Sequence, residues 1–196
     1  MKSRLLGAVC AALVCYGANA ELLGRLPLTP GGINYQAYYD TITGLTWMED
    51  ASLAGTVIWS EATAAVESLN ISGVTGWRLP GATSVDGISC LGSPCVDSEM
   101  GRLYNWTGIT ASQPGPFSNL MAPGEYWTSV PSGVGYAPPS AWTFNFGDGW
   151  QHLNDKTHLS YAWAVHDGDV VPILPALYLF ASGLIGLVGM ARRKAA

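Results

Sequence analysis

Positive charge is scarce in this chain. Of nine lysines and arginines, five sit at the two ends, and only Arg25, Arg78, Arg102 and Lys156 remain between residues 21 and 169. All fourteen acidic residues lie in that same stretch, which carries a formal net charge of about −10. So few cations exclude a nucleic-acid binder, because phosphate has to be met by lysine or arginine. Calcium or a cationic polymer is more fitting company, beside the plain alternative of solvated surface charge. Cysteine is scarce as well. Cys10 and Cys15 belong to the N-terminal segment, which leaves Cys90 and Cys95. Two thiolates cannot close a structural zinc site, which wants four ligands. In an oxidising compartment the pair is expected to form a short-loop disulfide; a free pair, and metal or redox chemistry, are the alternatives. Catalytic motifs are missing too. There is no Gly-x-Ser-x-Gly elbow and no phosphate loop, and His152, His158 and His166 match no zinc-ligand spacing. The expectation is a non-enzyme.

What is present begins with the two ends. Lys2 and Arg4 precede an apolar stretch over 5–15, and Ala18-Asn19-Ala20 fits the small-x-small rule of signal peptidase. Residues 1–20 therefore read as a signal peptide, with Glu21 as the first mature residue. Residues 170–196 read as a proline motif, a membrane helix and a basic tail. Residues 173–190 carry no charge and are followed by Arg192, Arg193 and Lys194. A helix of that length covers roughly 27 Å, against a hydrocarbon core of about 30 Å. The basic triplet would stay cytoplasmic and the domain outside. Gly183, Gly186 and Gly189 mark a small-residue face on that helix. The segment from Pro172 and Pro175 to Arg192-Arg193-Lys194 resembles the PEP-CTERM class of sorting signals. The resemblance implies a membrane anchor and processing by an exosortase-type protease, in an envelope that handles extracellular polysaccharide. No glutamate stands between Pro172 and Pro175 here, a departure from that class.

Between the ends lies one domain over 21–169, of about 150 residues. It holds all eight tryptophans, with few charges and abundant glycine and proline. This predicts a loop-rich α+β fold around an aromatic core rather than a helical bundle or a disordered tether. Residues 35–39 and 45–48, separated by turn residues 40–44, predict a hairpin. Ser60 reads as an N-cap for a helix over 61–69, with Ala62, Ala65, Val66 and Leu69 on one face. A second short helix is predicted over 98–104. Residues 107–117 and 130–139 read as loops. Trp142, Phe144 and Phe146 alternate with Thr143 and Asn145, and Gly147-Asp148-Gly149 is a turn signal leading to a return strand from Trp150. Tyr161, Trp163 and Val165 alternate as a final strand.

The ordered set Thr43-Gly44-Leu45-Thr46-Trp47, Trp59-Ser60-Glu61-Ala62, Leu69-Asn70, Gly76-Trp77-Arg78-Leu79-Pro80, Tyr126-Trp127-Thr128-Ser129 and Trp142-Thr143-Phe144-Asn145-Phe146-Gly147-Asp148-Gly149 resembles the Lcl C-terminal domain family. The resemblance covers residues 38–165. It implies the C-type-lectin-like fold of formylglycine-generating enzymes, and its named member is a collagen-like adhesin that binds sulfated glycosaminoglycans. Two features depart from the pattern. Ala162-Trp163-Ala164-Val165 lacks the arginine usual in the last strand, and the acidic charge disfavours a polyanionic ligand. The enzymes of that fold use a late cysteine pair, whereas Cys90 and Cys95 lie mid-domain. A cysteine-dependent oxidoreductase is the remote alternative.

The signature residues read as structural. Gly44 permits a positive-φ turn, Trp47 and Trp77 are core anchors, and Arg78, leading into Leu79 and Pro80, is expected to pair with a buried acid such as Glu61. Asp148, Trp150, Asn154 and Asp155, at and after the late turn, are the ligand candidates, with calcium possible. Two functions stand side by side: a binding or adhesion module that recognises carbohydrate or matrix polymer, and a structural or protein-interaction component of the envelope.

Overall fold

A computed structural model describes residues 21–83, 95–132 and 139–171. The first strands, β1 (Leu22–Pro27), β2 (Tyr35–Asp40) and β3 (Leu45–Met48), form an antiparallel meander. The predicted hairpin is β2–β3. Its turn is held by Asp40, whose carboxylate accepts from the Ile42 amide (2.9 Å) and the Thr43 hydroxyl (3.0 Å), while Gly44 closes the turn with φ 71°. Asp40 is fully buried, and a third donor, the Thr107 hydroxyl at 3.1 Å, brings the mid-domain loop onto it.

The chain then makes β4 (Thr56–Val57), α1 (Trp59–Glu67) and α2 (Glu99–Asn105). Ser60 does not cap α1. Ile58 is the N-cap and offers no side-chain bond; instead the Trp59 amide donates to the Lys156 carbonyl at 3.0 Å. A tertiary contact satisfies the donor that sequence logic assigned to a serine. At α2 the Ser98 hydroxyl does accept from the Gly101 amide, at 3.1 Å.

The second half supplies β5 (Glu125–Pro131), β6 (Ser140–Asn145), β7 (Trp150–Asp155), β8 (Ser160–Tyr161) and β9 (Val165–Asp167). Two sheets result, in the orders β1-β2-β3-β9 and β4-β8-β5-β6-β7. All pairings are antiparallel except β5 with β8. The described domain is thus α+β, mostly antiparallel, with two helices. Among the described residues no helix is long and apolar enough to cross a membrane; the expected span over 173–190 lies outside them.

The predicted final strand divides into two. Tyr161 ends β8 in one sheet and Val165 begins β9 in the other, with Ala162, Trp163 and Ala164 crossing between them fully buried. Both ends of this stretch find strand partners, so its alternation reflects two sheets rather than one. Strand β6 also differs from a one-sided strand: Thr143 is as buried as Phe144, because structure covers both sheet faces there.

Tryptophan builds the core. Trp47, Trp77, Trp127 and Trp163 are all within 1% of full burial. Each contributes about 5 kcal/mol of transfer free energy, most of it offset by chain entropy. Trp163 sits among Trp47 (5.0 Å between rings), Phe117 (4.9 Å) and Phe146 (5.4 Å), and its indole donates to the Met48 carbonyl at 2.8 Å. A second cluster joins Trp77, Leu79 and Trp127 to Ala62 and Val66 of α1.

Candidate functional site

Register places one polar face on the second sheet. Glu125 pairs with Asn145, which pairs with Trp150; Trp127 pairs with Thr143, which pairs with His152; Ala141 pairs with Asn154. Directly paired residues point the same way and successive ones alternate, so these side chains share a face. Helix α1 packs against β5, and its Ala62 and Val66 join Trp127 and Ala141 in the second core cluster. Around Glu125, Thr143, Asn145, Trp150, His152 and Asn154 the lining is polar or exposed.

There the groups interlock. The Glu125 carboxylate accepts from the Thr143 hydroxyl at 3.0 Å and from the Asn154 amide, and the Asn154 amide also donates to the Thr143 hydroxyl at 3.0 Å. Beside them the Trp150 indole, 45% exposed, stacks on the His152 imidazole with ring centres 5.6 Å apart and planes 19° from parallel. Strand β7 is the edge of its sheet, so this row is open along one side. Just past the strand, the Lys156 ammonium lies over the Trp59 ring, 4.1 Å from its centre.

The four ligand candidates do not form one set. Asp148 is exposed in the turn, where its carboxylate accepts from the Trp150 amide at 3.0 Å. Trp150 and Asn154 share the polar face. Asp155 ends the same strand but alternates to the other face, and its carboxylate accepts from the Thr157 amide and hydroxyl, both at 2.9 Å. Those bonds, the amide's first, hold its carboxyl below the usual range. The six-residue strand between them keeps Asp148 and Asp155 roughly 15 Å or more apart, too far for one calcium ion. Among the described residues no group of three or more His, Cys, Asp or Glu side chains is placed to hold a metal. Sequence reasoning missed Glu125 and Thr143, which reach the site only through the long-range pairing of β5 with β6. Period-two alternation from Trp150 would have found His152.

The signature residues lie elsewhere. Arg78 pairs with Glu99 (2.7 and 2.8 Å) and Asp167 (2.5 and 3.3 Å), not with Glu61. Glu61 is on the exposed side of α1, whereas Glu99 opens α2 beside the Arg78 segment and also accepts from the Gly81 amide at 2.7 Å. The cluster is half-buried rather than buried, with the Arg78 side chain 30% exposed. Burial alone would make Arg78 easier to deprotonate; its bonds to Glu99 and Asp167 outweigh that and raise its pKa. Backbone bonds at 2.9 Å in both directions join Arg78 to Val165, and the Pro80 carbonyl accepts from the Ser129 amide at 2.8 Å. This short segment therefore touches both sheets and α2.

Cys95 is fully buried and disulfide-bonded; Cys90 lies outside the described residues. Pro172, Pro175, Arg192, Arg193 and Lys194 also lie outside them.

The model of the Lcl C-terminal domain matches residues 36–166, two thirds of the chain. No curated protein and no solved structure matches it.

Proposed function

We propose, from the premise that the chain belongs to the Lcl C-terminal domain family, that it is a non-catalytic binding module that recognises carbohydrate in the cell envelope or extracellular matrix. The observation that carries this reading is the stack of exposed Trp150 on half-buried His152, beside the Glu125–Thr143–Asn154 cluster. A sugar ring offers a flat C–H face and a rim of hydroxyls. An aromatic surface suits the first; a carboxylate and an amide, held in place by the buried Thr143 hydroxyl, suit the second. In this reading the α+β domain is C-type-lectin-like, as the family resemblance implies. The acidic domain selects neutral or cationic glycans over sulfated ones, which repel it.

In this reading residues 1–20 direct export, and 170–196 anchor the domain outside the cytoplasm until an exosortase-type protease releases it. The test is a glycan array probed with the full chain and with Trp150→Ala. Retention on neutral or amino-sugar polysaccharides that falls about tenfold in the variant, at unchanged melting temperature, is expected. Equal retention by both proteins, or retention on sulfated glycans alone, refutes it.

A further inference from the structure

Away from that face, the first sheet carries a pocket of about 290 Å³, lined by Leu28, Ile33, Asn34, Tyr35, Tyr38 and Glu49. Its rim is the β1–β2 loop, which holds no charge and exposes Leu28 (65%) and Ile33 (82%). Two walls are tyrosines. The Tyr35 and Tyr38 rings stand 5.9 Å apart at 72°, forming an aromatic corner.

Both walls are fixed from behind. Tyr35 lies across Gly24, where any β-carbon would come within 2.2 Å of the ring. Tyr38 packs edge-on against the core residue Phe117, with ring centres 5.6 Å apart. The remaining wall bears Glu49. Among the described residues no hydrogen bond or ion pair reaches its carboxylate or the two tyrosine hydroxyls. The nearby cation Arg25 is committed elsewhere, bonded to Asp169 at 2.5 and 2.8 Å.

We infer that this pocket binds an organic ammonium group, with Glu49 supplying the counter-charge and Tyr35 and Tyr38 the aromatic walls. Aromatic faces attract cations through the ring quadrupole, and perpendicular rings present two such surfaces to one ammonium group. A carboxylate without a protein partner gains most when a cation arrives. The Glu49 field already reaches the Tyr38 ring: burial first, and then that charge, suppresses the phenol's ionisation. The apolar rim of Leu28 and Ile33 accepts methyl or methylene groups, which favours an organic cation over a hydrated metal ion.

Calorimetry of the full chain tests this, with choline chloride as the probe and the uncharged isostere 3,3-dimethylbutan-1-ol as its control, both in sodium chloride of matched ionic strength. Saturable choline binding, at least about tenfold tighter than the alcohol, is expected, and Glu49→Gln should weaken it about tenfold. Saturation-transfer NMR should place the choline methyls on tyrosine rings, with the signal lost in Tyr35→Leu; this readout stands if Glu49→Gln folds poorly. Equal binding of choline and the alcohol, undiminished binding by folded Glu49→Gln, or no saturation by about 50 mM choline overturns the inference.

Discussion

Gly101→Ala sets two effects of opposite sign against each other. Alanine is the better helix former by about 1 kcal/mol, so propensity alone predicts stabilisation of α2. Packing predicts the reverse. A β-carbon at Gly101 would lie 1.6 Å from the Cys95 carbonyl oxygen and 2.8 Å from the Ser98 hydroxyl oxygen. Real β-carbons keep at least 3.0 Å from such atoms, so helix or loop must separate by 1.4 Å. Neither side moves freely. Cys95 is fully buried and disulfide-bonded, and Met100 and Leu103, flanking Gly101 on α2, are fully buried as well. Overpacking of this kind costs about 1–3 kcal/mol, and the high end applies because the obstacle is backbone. The net expectation is a loss of about 2 kcal/mol, or a melting temperature lower by roughly 4–8 °C. Thermal melts of the full chain, with urea titration for the free energy, give the result. A melting temperature raised by about 2–4 °C would mean that propensity prevails and that α2 is not seated against Cys95.

Arg78→Gln should cost about 2 kcal/mol, between the values for exposed and buried pairs, because the cluster is only partly screened from water. Its pH dependence has a definite sign. The Arg78 bond depresses the Asp167 carboxyl in the folded state, so this contribution is present above the unfolded carboxyl's pKa, near 4, and fades as pH falls below it. The gap in melting temperature between wild type and variant should therefore narrow on acidification from pH 7 to 3, and a constant gap would exclude this role for Asp167. At the alkaline end, burial pushes the Tyr126 phenol up to about 12. The unfolded chain ionises first, so stability should drop as pH rises from about 10 towards 12, and Tyr126→Phe should flatten that limb. An ultraviolet titration showing every tyrosine ionised by pH 10.5 or so in folded protein would refute the assignment.

Local chemistry was the legible part of this fold. Asp40, Thr43 and Gly44 form their turn from side chains within five residues, and α2 lies within one residue of the 98–104 predicted, with Ser98 as its cap rather than in its first turn. Such signals survive in one dimension because both partners are adjacent in sequence. Long-range pairing was not legible. Arg78 finds Glu99 and Asp167 across 21 and 89 residues, and no periodicity distinguishes those acids from Glu61. The same holds at the candidate site. Trp150 and Asn154 are visible as residues after a turn, but Glu125 joins them only because β5 pairs with β6. The Ser60 cap failed for a related reason: a carbonyl 97 residues away, that of Lys156, took the role of a neighbouring hydroxyl.

The crossing of residues 162–164 from one sheet to the other bears on the order in which the domain is made. Strand β3 gains its second partner only with β9, β4 gains its partner only with β8, and β5, already paired with β6, gains its other neighbour with β8, so two strands from the first third of the domain are completed only when its last dozen residues arrive. Trp163, the hub of the aromatic core, arrives with them. A nascent chain growing from its N-terminus therefore cannot close this core early, and its meander stays an unfinished sheet with a bare edge on β3. Completion is a late, all-at-once event with a high contact order, which slows folding. A chain that folds late remains threadable for longer, the condition a polypeptide must meet to pass through a narrow protein-conducting pore.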